Sequence, residues 1–340
     1  MSRTSLEIVL DAIESRASER VPVIPIVGLY STNVSNIPIT DLLNDGVKQA
    51  KSQLAAHSKY GYDGVFTAMD LTVEAQALGA QVTFPKDAFP YVHSHPLHEA
   101  EQFEDIPQLP VNGSRLSVFI KATQIMSDAL ADKFLLSSHV IGPFTLAGHL
   151  LGIEKLMEIT SEEPELAEAL VNHCAKVIEP YIEKLIDAGA DNIVILEPSA
   201  SSSLISPRFF ERFSFSNLKS LISRVQSAGV IATLHICGNT SPILKRMCDT
   251  NAEVLSIDSE VPLHEARIAI GENATLMGNV DTALMIGNSS KNVADASRLC
   301  LEDGGSDGKF ILSTSCDLPI ETPSSNLVEF VASVSKSTIM

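Results

Sequence analysis

Eight short runs rich in Val, Ile, Leu and Phe punctuate the chain, at residues 21–27, 64–69, 134–140, 192–196, 230–235, 253–257, 274–277 and 310–313. Apolar runs of this length, bounded by polar or turn-forming residues, predict strands buried on both faces. Between them, apolar positions recur at helical spacing over 42–59, 165–188, 208–228, 241–250 and 294–302, and several of these stretches end at a glycine. Strands that alternate with helices form parallel sheets through right-handed crossovers. Eight such units favour a closed (β/α)8 TIM barrel over an open doubly wound sheet, because eight strands enclose a lumen that inward side chains just fill. The expected architecture is an α/β fold with one barrel domain over 1–340. A helix over 5–17 precedes the first strand and is expected to cap the underside. The connections at 71–132 and 145–190, after the second and third strands, exceed the length of one helix and are expected to wall the active face.

In such barrels the C-terminal ends of the strands carry the chemistry. Here those ends are polar. Asp70 follows the second strand, Glu197-Pro198-Ser199 the fourth, His235-Ile236-Cys237-Gly238 the fifth, Asp258 the sixth, Gly278-Asn279-Val280-Asp281 the seventh and Ser315-Cys316-Asp317 the eighth. In extended backbone, residues i and i+2 face the same side, so the His235 imidazole and the Cys237 thiol converge. Cys316 reaches them only across the barrel mouth. One nitrogen and two sulfurs suit Zn²⁺, and three protein ligands leave a fourth position open, as in catalytic zinc sites. The competing reading makes the two cysteines small buried hydrophobes and His235 a satisfied core histidine; the placement of all three at strand ends favours the metal. Asp70 has two readings, base or orienter beside the pocket and cap of the following helix. Ser199 and the serines after it serve either a substrate or a capping turn. His93, His95 and His98 fall in a Pro-flanked connection and read as surface loop. Cys174, Cys248 and Cys300 read as helix core, and Glu162, Glu163, Glu165 and Glu168 as a solvated helix start.

Composition narrows the partners. The 340 residues include 42 acidic and 24 basic side chains, a formal charge of −18, which repels phosphate backbones and anionic lipid and argues against nucleic acid and membrane surfaces. With 45% hydrophobic and 19% charged residues, the chain is globular and not disordered. The early apolar stretch at 21–30 is broken by Pro22 and Pro25 and is too short to span a bilayer. The first twenty residues hold Glu7, Asp11, Glu14 and Glu19 where a signal peptide has an apolar block. A soluble cytoplasmic protein is expected. Five cysteines, an odd number, point to thiols or metal ligands and away from a disulfide framework.

These segments resemble the uroporphyrinogen decarboxylase superfamily of (β/α)8 barrels over nearly the whole length. The likeness runs through "RVPVIPI" near the start, "MDLTVEAQALGAQVTFP", "GPFTLAGHLLG", "MGNVD" and "STSCDLPIETPSSNLVEFV". Decarboxylases of that superfamily bind tetrapyrrole carboxylates through arginines in an early Arg-Gln-Ala-Gly-Arg stretch and use an aspartate after the second strand. Asp70 matches the aspartate, but "PIVGLYSTN" at the matching early position holds no arginine, and His149 stands where the decarboxylases carry a tyrosine. An acidic chain without those cations is poorly built for an octa-anionic porphyrinogen.

The second branch, the methylcobamide:coenzyme M methyltransferases and related corrinoid-dependent enzymes, has a His-x-Cys zinc motif with a distant Cys. "LHICGN" and "STSCD" fit it at His235, Cys237 and Cys316. The resemblance implies a zinc-dependent methyltransferase that moves a methyl group from a methylated corrinoid, such as methylcobalamin, to an acceptor. That acceptor is coenzyme M, another small thiol or a folate-linked compound. Asp70, Glu197 and Asp258 are the implied catalytic groups, the latter two as a temporary fourth zinc ligand or proton acceptor. Asn279, Ser199 and His149 are the implied corrinoid contacts. The chain holds no Asp-x-His-x-x-Gly stretch of the kind found in corrinoid carriers, so the donor is expected on a separate corrinoid carrier protein. The alternatives are a decarboxylase acting through Asp70 and a non-catalytic zinc-binding barrel.

Overall fold

The apolar runs become strands where the backbone can give and take a full set of hydrogen bonds. In the computed structural model, which describes residues 3–305 and 308–336, the strands in chain order are β1 (Gly64–Phe66), β2 (Gln81–Thr83), β3 (Tyr91–Ser94), β4 (Leu135–Ile141), β5 (Asn192–Leu196), β6 (Ile231–Ile236), β7 (Val254–Ile257), β8 (Thr275–Val280) and β9 (Phe310–Thr314). Seven of them form one parallel sheet in the order β1-β4-β5-β6-β7-β8-β9, and β2 pairs with β3 as a separate antiparallel hairpin. The sheet curls into an open, distorted barrel of the α/β class.

The departure from a regular eight-stranded barrel lies at residues 21–27. Pro22 and Pro25 have no N–H to give to a ladder, and the segment makes one isolated parallel bridge, Val23 with Leu312. It still lies between the sheet's two edges. Ile24 N donates to Leu312 O at 2.9 Å, Leu312 N to Pro22 O at 2.9 Å, and Asp63 N, just before β1, to Val23 O at 2.9 Å. The buried Asp63 carboxylate replaces part of the missing ladder, accepting from Val23 N at 2.8 Å and from both terminal nitrogens of Arg20 at 2.7 Å.

Inside the curl, Ile24, Ile26, Phe66, Met69, Leu135, Val194, Leu196, Val254, Met277 and Ile311 pack into one buried cluster together with Val9 and Ile13. The last two come from the helix Ser5–Ile13, which closes the underside and is shorter than the expected 5–17. A capping box between Thr4 and Glu7 fixes its start.

The two long connections are structured. The first holds the helix Val73–Ala77, the β2–β3 hairpin and the helix Leu116–Leu130; the second region holds the helices Pro143–Leu151, Ile153–Glu162 and Pro164–Asp187. His93, expected in a loop, lies on β3 with its Nδ1 2.9 Å from Thr83 Oγ1 across the hairpin. Cys174 is buried in the helix Pro164–Asp187. From the acidic run, Glu165 and Glu168 pair with Arg212 at 2.8 and 3.3 Å on the surface. Among the described residues, no helix is long and apolar enough to cross a membrane.

Candidate metal centre

His235, the penultimate residue of β6, is buried, and its Cα is in register with Leu196 of β5 and Ser256 of β7. Ser256 Oγ lies 2.9 Å from His235 Nδ1, which leaves Nε2 facing Cys237 Sγ at 3.0 Å. Cys316, just past β9, brings its Sγ to 3.6 Å from that of Cys237. The three ligand atoms lie within 4.8 Å of one another, and among the described residues no other trio of His, Cys, Asp or Glu side chains converges in this way.

Two sulfurs at about 2.3 Å from a tetrahedral zinc stand roughly 3.7 Å apart, so the 3.6 Å separation of Cys237 and Cys316 fits such an ion as it stands. The shorter His235–Cys237 contact is a hydrogen bond, and an ion between the two atoms would widen it by about half an ångström. The neighbouring Cys237 sulfur, and after it burial, pushes the Cys316 thiol up. A divalent cation replaces those thiol protons. The donor set therefore fits a borderline-soft cation, with Ser256 orienting the histidine.

Local backbone makes the approach possible. Gly238 has φ +75°, a conformation that side-chain-bearing residues rarely adopt, and it turns the chain directly after Cys237. Asp258 Oδ2 accepts from Gly238 N at 2.9 Å, and Ser203 Oγ accepts from Asn239 N at 3.1 Å. The serine-rich segment after Glu197 thus braces the turn that presents Cys237.

Asp70, His235, Cys237 and Cys316 all line one cavity of about 420 Å³, together with Phe89 and Pro90 from the hairpin loop. The Asp70 carboxylate is fully engaged. Its Oδ1 accepts from Thr72 N at 2.8 Å and Thr72 Oγ1 at 2.7 Å, while Oδ2 is ion-paired with Arg115, both side chains buried. Both readings of Asp70 therefore have a structural counterpart, the pocket wall and the turn before the next helix.

Glu197 is fully buried and caps a helix. Its Oε2 accepts from Phe144 N at 3.0 Å, and its Oε1 from Thr145 N at 2.6 Å and Thr145 Oγ1 at 2.5 Å, at the start of the helix Pro143–Leu151. Negative charge is favoured at a helix N-terminus. Burial nevertheless pushes the Glu197 carboxyl up to about 7. Gly142 makes room for it, since a Cβ there would stand 2.5 Å from the carboxyl carbon. Asp258 Oδ1 accepts from Glu260 N at 3.1 Å, within its own turn. Asn279 Nδ2 donates to Asp258 O at 2.9 Å and Val261 O at 2.7 Å, fixing that turn. Neither Glu197 nor Asp258 joins the converging trio.

Ser199 and His149 line an adjoining hollow of about 440 Å³ that shares Leu71 and Pro90 with the first. Burial lowers the proton affinity of the His149 ring, and its buried Nδ1 has no hydrogen-bond partner. Sequence reasoning passed over Ser256 and Arg115 and gave Asp317 no role. Asp317 lines the main cavity, accepts from Gly28 N at 3.2 Å, and is pushed well up by burial and by Cys316.

The family model described as uroporphyrinogen decarboxylase (URO-D) matches residues 4–337. The methylcobamide:CoM methyltransferase MtbA of Methanosarcina mazei is 30% identical over 289 residues, 84% of either chain. The uroporphyrinogen decarboxylase of Anaeromyxobacter dehalogenans is 27% identical over 296 residues, also 84% of either chain. A solved methyltransferase structure from Methanosarcina mazei superposes with a TM-score of 0.91 at 27% identity, covering 98% of this chain and 99% of that one.

Proposed function

The chain belongs to the uroporphyrinogen decarboxylase family, and from that premise we propose that it is a zinc-dependent methyltransferase carrying a methyl group from a corrinoid, held on a separate carrier protein, to a small thiol. The observation that carries this reading is the convergence of one imidazole nitrogen and two sulfurs within 4.8 Å. Similarity to the methylcobamide:CoM methyltransferases supports it.

His235, Cys237 and Cys316 are the proposed ligands. When bound, zinc supplies the Lewis acidity that holds a guest thiol as thiolate near neutral pH. Ser256 accepts from His235 Nδ1–H and so reserves Nε2 for the ion. Asp70, locked to Arg115 and Thr72, keeps the cavity wall fixed; Glu197 ties the end of β5 to a neighbouring helix; Asp258 and Asn279 hold the turn behind Cys237. All four act as positioning residues. Phe89 and Pro90 add apolar surface to the cavity wall. Ser199 and His149, in the adjoining hollow, are the proposed contacts to the donor. The acceptor sulfur gains the methyl carbon, the cobalt–carbon bond breaks with its electron pair left on cobalt, and the thiol proton leaves to solvent.

Coenzyme M appears in the relatives' names and belongs in the first assay. The zinc-loaded chain is expected to demethylate methylcobalamin with a thiol, giving the S-methyl product. Cys237→Ala is expected to lose both bound zinc and turnover. Full turnover by metal-free protein contradicts the reading. Conversion of uroporphyrinogen that survives Cys316→Ala supports the decarboxylase instead, and zinc binding with no turnover on any thiol supports a non-catalytic barrel.

A further inference from the structure

Apart from the proposed ligands, the side chains that line the main cavity leave a guest little to hydrogen-bond to. Both carboxylate oxygens of Asp70 are taken, by Thr72 and by Arg115. The Asp317 carboxylate is turned to Gly28, whose N–H donates to Oδ1 at 3.2 Å and where a Cβ would collide with Oδ2. Among the described residues that line the cavity, Thr282 brings the single hydroxyl.

The remaining wall is hydrocarbon. Met69, Leu71, Phe89, Pro90, Leu196 and Pro198 supply it, from the loop after β1, the β2–β3 hairpin loop and the end of β5. Met69 and Leu196 belong to the buried cluster inside the curl, and Leu71 packs against it, so the apolar core of the barrel extends to the cavity. Phe89 is 43% exposed and keeps apolar surface for a guest to cover. The volume of about 420 Å³ is that of a small-molecule site, and such sites hold their ligands mostly by apolar contact while a few polar groups fix the orientation. Here the orienting groups are the proposed metal ligands, which take the guest by its sulfur. Carbon placed against the wall then adds about fourfold in affinity for each CH₂ fully buried. A polar end group gives up water there and finds few partners.

We propose that the acceptor is a thiol with an uncharged hydrocarbon body, seated against Leu71, Phe89 and the side chains of Met69 and Leu196 while its sulfur occupies the metal centre. This rests on the methyltransferase reading above and names its acceptor class. The test uses the full chain with Co²⁺ in place of zinc, following thiolate-to-cobalt charge-transfer absorption. The probes are ethanethiol, 1-propanethiol and 1-butanethiol, whose sulfurs are equally basic, and 3-mercapto-1-propanol, which carries a hydroxyl where 1-butanethiol has its terminal methyl. Affinity is expected to rise about two- to fourfold with each added CH₂, and the hydroxyl analogue to bind about fivefold or more weakly than 1-butanethiol. Phe89→Ser and Leu71→Ser are each expected to flatten the rise along the series with cobalt content unchanged. Affinity that is level or falls along the series in the unsubstituted chain, a hydroxyl analogue that binds as tightly as 1-butanethiol, or a rise that both variants keep in full overturns the assignment of the acceptor and leaves the methyltransferase reading standing. Absence of a charge-transfer band with every thiol overturns both.

Discussion

Ser256 and His235 face each other across β7 and β6, and their contact decides which ring nitrogen is left for a ligand. Ser256→Ala is expected to weaken zinc binding roughly 10–100-fold, the usual cost of losing a partner that orients a ligating histidine. Competition against a chromophoric chelator measures this, and unchanged affinity would mean that packing alone holds the ring. Buried carboxyls set a second expectation. Burial holds Glu74, on the helix Val73–Ala77, and Glu197 at about 7, against an ordinary 4.5. Between those values the unfolded chain has released protons that the folded chain keeps, so stability falls as pH rises from about 4.5 to 7. Each group accounts for at most about 3 kcal/mol of that fall. Urea unfolding at both ends of the window should show the fall, and Glu197→Gln should remove its share of the slope; a variant keeping the full slope contradicts the assignment. Residue by residue, legibility followed spacing. His235 and Cys237 stand two apart in extended backbone, and Cys316 ends a recognisable strand. Ser256 is an ordinary serine in an apolar run until the strands pair. The carboxylates of Glu197 and Asp258 turn to backbone N–H groups, partners that no spacing in the sequence announces.

At the scale of elements, most strands and helices follow the apolar periodicity, because burial on both faces demands it. The segment at 21–27 does not. Its apolar content reads as a strand, while its two prolines forfeit the donors and leave one bridge. The β2–β3 hairpin escaped notice for the opposite reason: its strands span three and four residues and keep exposed positions, so neither length nor alternation marks them. The hairpin nevertheless brings Phe89 to the cavity. Behind the cavity, Arg115 at the start of the helix Leu116–Leu130 joins that helix to the loop after β1 through Asp70. Arg115→Met would strand a buried carboxylate without its cation. A loss of about 3–5 kcal/mol is expected from breaking one side of such a pair, read as a shift in the urea midpoint; a loss below about 1 kcal/mol, the range of surface pairs, contradicts a buried ionic contact.

Over the whole molecule, the alternation of strand and helix made the barrel legible, and the polar strand ends marked the face where His235, Cys237 and Cys316 converge. How the barrel closes was not legible, since closure depends on Asp63 and on the bridge from Val23 to Leu312, contacts between residues far apart in the chain. Three side chains, one on β6, one just after it and one just past β9, converging within 4.8 Å, are what the functional account stands on. X-ray absorption at the zinc edge of the zinc-loaded full chain tests them most directly. The expected first shell has two sulfurs at about 2.3 Å and one imidazole nitrogen at about 2.0 Å, with one sulfur lost in Cys316→Ala. A shell of nitrogen and oxygen alone, or a sulfur count unmoved by Cys316→Ala, would contradict the account.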